Sequence, residues 1–318
     1  MKKKYLSILG SILLLSVVAF FLNPYFIQTS NLLTMIRQAS ILLMLSLGLT
    51  VVVITGNIDL SVGSTAALTG CICAKLMVSG MPIPLSIFLS FFVGIFVGLI
   101  NGVLVGWLSL PSFVATYGMN MVASGLALMV MQGGVIYDLP KSFTQIGVGY
   151  LGAIPIPIIL SFIMLFIFWF LLEKTTFGRN IYMIGMNRQA AKFSAVNDLK
   201  LFLKTFMLSG LTASAGGIMM TARLNAADAG MSETYGLQIV AAVVVGGTSL
   251  LGGEGGVMGT FFGVLILTMI MNIMNMNRVD SNWQNLVLGV LILMIIFLHR
   301  NGARILGKFK KKQTRQEV

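Results

Sequence analysis

Apolar runs of about 20 residues recur along this chain, and they restrict its fold more than any other feature. Ten are read, at 5–23, 40–56, 62–79, 85–107, 113–131, 157–173, 203–221, 237–251, 257–275 and 283–299. A helix of that length crosses the roughly 30 Å hydrocarbon layer of a bilayer. The eighth run is short and rich in glycine. Charged residues make up only 9% of the 318 residues, against about 25% in a soluble domain. With a mean hydropathy of +0.95, too little charge remains to cover a surface facing water. The chain is therefore read as an all-α, polytopic membrane protein: one transmembrane domain over 1–318 with about ten helices. Its 35 glycines suit helices that pack closely in lipid.

The position of the charges orients the runs. Of the 21 Lys and Arg residues, 16 lie in Lys2–Lys4, Lys174–Lys204 and Arg300–Arg315. The other five are Arg37, Lys75, Lys141, Arg223 and Arg278. With ten spans, the three rich clusters share one side, which the positive-inside rule makes cytoplasmic. Both termini, a loop at 174–204 and a basic tail at 300–318 are thus expected in the cytoplasm. Topology accounts for the net charge of +12 without a nucleic acid partner. Met1–Leu22 has the basic start and apolar core of a signal peptide, but no small-residue cleavage site follows, so it is read as an uncleaved first helix. Cys71 and Cys73 are read as small apolar filler and His299 as an interfacial anchor; no metal site is expected.

The 173–204 interval is the one long polar stretch, and it is the largest surface the chain would offer a cytoplasmic partner. On the other side, 132–157 is a turn-rich loop with room for a short helix, and 24–39 is read as a short surface helix. Two apolar runs break in similar ways, at Gly56-Asn57-Ile58-Asp59-Leu60-Ser61-Val62-Gly63 and at Gly246-Gly247-Thr248-Ser249-Leu250-Leu251-Gly252-Gly253. Paired interrupted segments in two halves of a chain point to a translocation pathway.

Asp59 is the most informative single residue, because a carboxylate facing lipid costs several kcal/mol. Two readings stand: a polar lining of the pathway, or a cap that shapes the third span together with Ser61. Asn101, Thr116, Asn120, Ser124, Gln238, Asn272 and Asn275 also fall within spans. Such groups bind a neutral polyhydroxylated solute or join helix to helix. An ion path calls for several intramembrane acids or histidines, which this chain lacks. No phosphate-cradling loop, zinc-protease helix or nucleophile elbow occurs, so no catalytic residue and no cofactor are expected.

Four stretches resemble the permease subunits of ATP-binding-cassette importers, in the ribose/xylose/galactoside/autoinducer-2 group of the branched sugar permease family. They are Ile54 to Gly63; Asn101-Gly102 followed by Pro111 to Met119; Phe177-Gly178-Arg179 with Ile184-Gly185-Met186-Asn187 through Ala190-Ala191 to Ser194; and Ala241 to Gly253 with Gly259-Thr260 and Trp283-Gln284. The resemblance implies a type II-like importer permease in a bacterial inner membrane. It implies a second permease copy or paralogue, a cytoplasmic ATPase and an extracytoplasmic solute-binding protein as partners. It makes Gly185, Asn187, Ala190, Ala191 and Ser194 the segment that couples to the ATPase. Asn57, Asp59, Ser61, Asn101, Thr116 and Asn120 are the expected pathway residues. Departures from the family pattern are Asn57 and Ala195 in place of common glycines, with Tyr117, Leu251 and Glu254. The rival reading is a secondary carrier for a small polar solute, driven by an ion gradient.

Overall fold

A computed structural model of the chain describes residues 2–231, 235–294 and 297, with side chains from residue 10 onward. His299 and the basic tail at 300–318 lie outside the described residues. In chain order the helices are α1 (Lys2–Leu22), α2 (Thr29–Ile54), α3 (Val62–Val78), α4 (Ile83–Gly106), α5 (Ser112–Met131), α6 (Lys141–Val148) and α7 (Ile156–Lys174). There follow α8 (Thr176–Met186), α9 (Arg188–Phe193), α10 (Asp198–Leu224), α11 (Tyr235–Val245), α12 (Val257–Met276) and α13 (Ser281–Met294). Strands β1 (Ile136–Tyr137) and β4 (Ala226–Ala227) pair antiparallel, as do β2 (Tyr150–Leu151) and β3 (Ile154–Pro155).

Six helices, α2, α4, α5, α7, α10 and α12, are long and apolar enough to cross a membrane. The apolar parts of α1, α3, α11 and α13 are shorter. Each of the ten apolar runs overlaps one of these helices, but several boundaries move: 246–251 of the eighth run lie in the break after α11, and the tenth run reaches beyond the described residues. The interval 24–39 is not a separate surface helix: one 3-10 turn, Pro24–Ile27, leads straight into α2. Thr29 to Ser40 contain neither Gly nor Pro, so nothing there stops a helix from extending the apolar run toward its start. Helix α10 begins at Asp198 because the Asn197 side chain caps it, accepting the Lys200 N–H at 2.9 Å, with Asp198 in the positive first turn. Helix α11 stops at Val245 because Gly246 and Gly247 follow, the latter at φ +83°.

Two helices form the centre. The apolar windows of α2 and α10 are 83% and 67% buried, whereas those of α4, α5 and α7 are only 28% buried. Helix α10 packs against α2, α3 and α4. A stripe of Gly94, Gly98 and Gly102 on α4 permits the close approach, since a Cβ at Gly98 would strike the Phe206 carbonyl and one at Gly102 would lie 2.8 Å from the Leu203 Cα. In lipid such backbone-to-backbone packing replaces the hydrophobic drive available in water. One end of the bundle carries α6 and the short strands. Arg37 ties that end together, donating to the Val148 carbonyl at 3.1 Å with its guanidinium 4.9 Å from the Tyr150 ring centre. The opposite end carries α8 and α9, so the polar interval is built as two short helices rather than as an open loop.

Candidate functional site

The first helix break, between α2 and α3, is filled by side chains. The Asp59 carboxylate is 3% exposed. Its Oδ1 accepts the Ser61 N–H at 3.0 Å and the Ser61 hydroxyl at 2.6 Å, and its Oδ2 accepts the Ser209 hydroxyl of α10 at 2.7 Å. Asn101 of α4 donates to Ser61 Oγ at 2.9 Å. On the other flank, the Leu60 N–H donates to Thr116 Oγ1 at 3.1 Å and the Ile58 N–H to Ser112 Oγ at 3.1 Å. The Thr116 hydroxyl lies 2.7 Å from the Ser112 carbonyl and 3.1 Å from that of Ile58. Backbone groups freed by ending one helix and starting another thus find partners on α5, which a low-dielectric interior demands. Asp59 closes a turn through Ser61 rather than bonding the N–H groups of α3 itself, and both its oxygens accept bonds from hydroxyl or amide donors.

The second break, between α11 and α12, is made of backbone. Gly247, Gly252, Gly253 and Gly255 all have positive φ, from +76° to +125°, a region in which a Cβ is unfavourable. The Gly253 N–H donates to the Ile54 carbonyl, the last of α2, at 2.8 Å. A Cβ at Gly252 would sit 2.7 Å from the Gly56 nitrogen. The two breaks therefore touch, and the polypeptide passes between them with no room for side chains.

Helix α8 closes beneath both. The Thr175 side chain caps its start, accepting the Gly178 N–H at 3.2 Å. At its other end a Cβ on Gly185 would collide with both the Ile54 carbonyl and the Gly253 amide nitrogen. The Tyr182 hydroxyl donates to the Gly255 carbonyl at 3.1 Å. Asn187 caps α9, its Oδ1 accepting the N–H groups of Gln189 and Ala190, each at 3.0 Å. Arg188 then pairs with Asp198, the first residue of α10, at 2.7 Å, and Lys192 lies 3.6 Å from the same oxygen. Ser194 ends α9, its hydroxyl donating to the Ala190 carbonyl at 3.2 Å. Ala195 follows at φ +60°, which gives the physical reason a glycine suits that position.

The sequence-derived residues thus separate. Gly185 and the buried Ala191 face inward, Asn187 and Ser194 shape the ends of α9, and Ala190 is exposed. Asp59, Ser61 and Asn101 are bonded in a chain and Thr116 holds the backbone beside them, with Asn101 Oδ1 left without a partner, while Asn57 donates to Thr55 Oγ1 at 3.0 Å. Asn120 lines a groove of about 350 Å³ shared with Ser64 and Ser124. Sequence reasoning missed Ser112 and Ser209, because an in-span serine that bonds its own helix reads the same as one that bonds another. It also missed three apolar side chains displayed at the α8–α9 end: Met186, Phe193 and Leu251, which are 69%, 93% and 88% exposed. An aromatic between Lys192 and Ser194 in a polar stretch was the available signal for Phe193. No cluster of His, Cys, Asp or Glu able to hold a metal occurs among the described residues.

Residues 31–296 match the family described as branched-chain amino acid transport system / permease component. The chain belongs to this permease family. Among curated relatives, the permease is 40% identical to the ribose import permease protein of Bacillus subtilis, over 92% of this chain and 91% of that one. It is 36% identical to the D-allose transport system permease protein of Escherichia coli, over 89% of this chain and 88% of the relative. It is 31% identical to the autoinducer 2 import system permease protein of Escherichia coli O157:H7, over 90% of this chain and 84% of the relative. No solved structure matches. The likeness drawn from the four motifs is borne out: the permease falls with the sugar-type ATP-binding-cassette importers, as a multi-pass transport subunit and not an enzyme. Permeases of this kind work with an ATPase subunit and a substrate-binding protein.

Proposed function

We propose that this permease moves a sugar or a related small polyhydroxylated solute across a bacterial inner membrane, as one of two permease copies or paralogues around a shared path. Ten spans put both termini and the α8–α9 end in the cytoplasm, in keeping with the distribution of Lys and Arg. The ATPase docks on α9, with Asn187 and Ser194 fixing the helix ends, Ala190 leaving room for a partner groove, and Phe193 and Met186 as apolar anchors. Gly185 seats the end of α8, and Ala191 seats α9, on the rest of the permease. Asn120 faces the solute along the α3–α5 groove. Asp59, Ser61, Asn101, Thr116 and Asn57 hold the shape of the break beside it. The family description names amino acids, but the relatives matched over nine-tenths of the chain include ribose and allose permeases, and an uncharged lining suits a sugar better than a zwitterion.

The observation that carries this reading is the seat of Gly185. One helix of the docking segment touches the backbone of both breaks at once, so a push from the ATPase reaches Ile54 and Gly253 without an intervening flexible side chain. The test is co-purification of the ATPase with the intact permease and with Ala190→Glu and Phe193→Asp, followed by ATP-driven uptake of D-ribose, D-allose and D-xylose in proteoliposomes. Loss of the ATPase from folded variants supports the docking surface, and full retention of it in both variants rules that surface out. Uptake that follows an ion gradient instead of ATP would favour a secondary carrier.

A further inference from the structure

A second polar cavity, of about 230 Å³, lies at the α6 end among α2, α11, α12 and α13. Its polar lining includes Gln38 of α2, Gln238 of α11, Thr268 and Asn275 of α12, and Gln284 and Asn285 of α13. Leu42 and Leu267 supply an apolar side. No Asp, Glu, Lys, Arg or His lines it among the described residues. Thr268 and Asn275 are two turns apart on one helix, so the cavity runs about 10 Å along α12. Asn275 and Asn285 are exposed at its rim, and Thr268 is buried at its floor.

Thr268 closes the floor with its Oγ1 shut off from the open space. Two walls of the cavity are held in place: Gln284 donates to Asn275 Oδ1 at 2.8 Å and to the Val279 carbonyl at 3.0 Å. At about 30 Å³ per water the cavity has room for about eight waters, a volume that takes one five- or six-carbon polyol. Amides and hydroxyls opposite an apolar wall match a molecule with hydroxyls on one side and C–H groups on the other. An ion would find no counter-charge among the described lining residues.

We infer that this cavity is a binding site for a neutral polyhydroxylated solute, entered from the α6 end, with the Gln238 and Asn285 amides meeting solute hydroxyls. The inference rests on the sugar reading of the permease and places a solute outside the α3–α5 groove. The two spaces flank the first turn of α11, since Tyr235 and Gln238 line this cavity and Gly236 lines the groove with Asn120.

The test uses the full chain with its ATPase and binding protein in lipid nanodiscs, and D-ribose, D-allose and D-xylose as probes. Ser281→Cys places a thiol at the exposed rim, while the native Cys71 and Cys73 are buried and contribute little background. At least one sugar is expected to slow maleimide labelling of that thiol. Asn285→Leu, which removes a lining amide at nearly the same shape, should raise the sugar concentration for half-protection about fivefold. Gln238→Leu, on a different helix, should do the same and covers the case in which the first variant fails to fold. A transporter that takes up a sugar with no protection at the rim, or with protection that both substitutions leave unchanged, overturns this inference alone. Absence of ATP-driven uptake of all three sugars overturns the functional reading and the inference with it.

Discussion

The chain interrupts its helices twice and fills the two gaps in opposite ways. Between α2 and α3 the space holds a carboxylate, hydroxyls and an amide, and the neighbouring α4, α5 and α10 each contribute a polar side chain. Between α11 and α12 there are glycines at positive φ, and the neighbours that matter are main-chain atoms of Ile54, Gly56 and Gly185. Both gaps free backbone groups that lipid cannot solvate. Side chains bring directional bonds that fix one geometry. Bare backbone brings close contact at the Gly185 end of α8. On the proposed coupling, the first gap holds still and the second is pushed.

Substitutions can break that contrast. The largest effect belongs to Gly185→Val, whose Cβ has no place between Ile54 and Gly253. The monodisperse peak in detergent chromatography should largely vanish, whereas Gly118→Ala, with open space around it, should leave the peak intact. Next comes Asp59→Ala, which strips partners from Ser61 and Ser209. It should cost about 2–4 kcal/mol in reversible unfolding; Asp59→Asn, which keeps an acceptor, should cost less. A double-mutant cycle of Asp59→Ala with Ser209→Ala sharpens the point, with a coupling of about 0.5–3 kcal/mol expected. Additive effects would mean that the bond between them contributes nothing. Gly253→Ala strains a left-handed residue and should cost about 1–2 kcal/mol while depressing ATP-coupled uptake more than stability. A loss of stability with coupling intact would contradict the transmitting role of the second gap. The smallest effect expected is from Tyr182→Phe, about 1 kcal/mol for its bond to Gly255, read as a modest drop in melting temperature.

Much of this architecture was legible in the apolar runs, because a bilayer imposes helix length directly. What hydropathy could not tell was which helices face protein. Helix α4 has the higher mean hydropathy, 2.5 against 1.9 for α2, yet its window is 28% buried and that of α2 is 83% buried. Lipid and protein interior are equally apolar, so the helix signal is the same on either side. Polar residues posed the same difficulty in reverse. Asn101 and Asn120 are both in-span asparagines, one sealed inside a network and the other on a groove. The difference lies in what α3 and α5 present opposite them, which no local pattern records. The glycine runs were read correctly as breaks, but the sequence held no hint that Gly185 would lodge against both.

The bond from Gly253 to the Ile54 carbonyl also has a meaning in time. Roughly 200 residues separate the two, so at about 5–20 residues per second a ribosome needs roughly 10–40 s between making one and the other. For that interval the end of α2 waits at the membrane with its last carbonyl lacking this partner. A nascent chain cut short before Gly253 would lack the clasp, and membrane quality control would meet an unfinished α2 end instead of a sealed one.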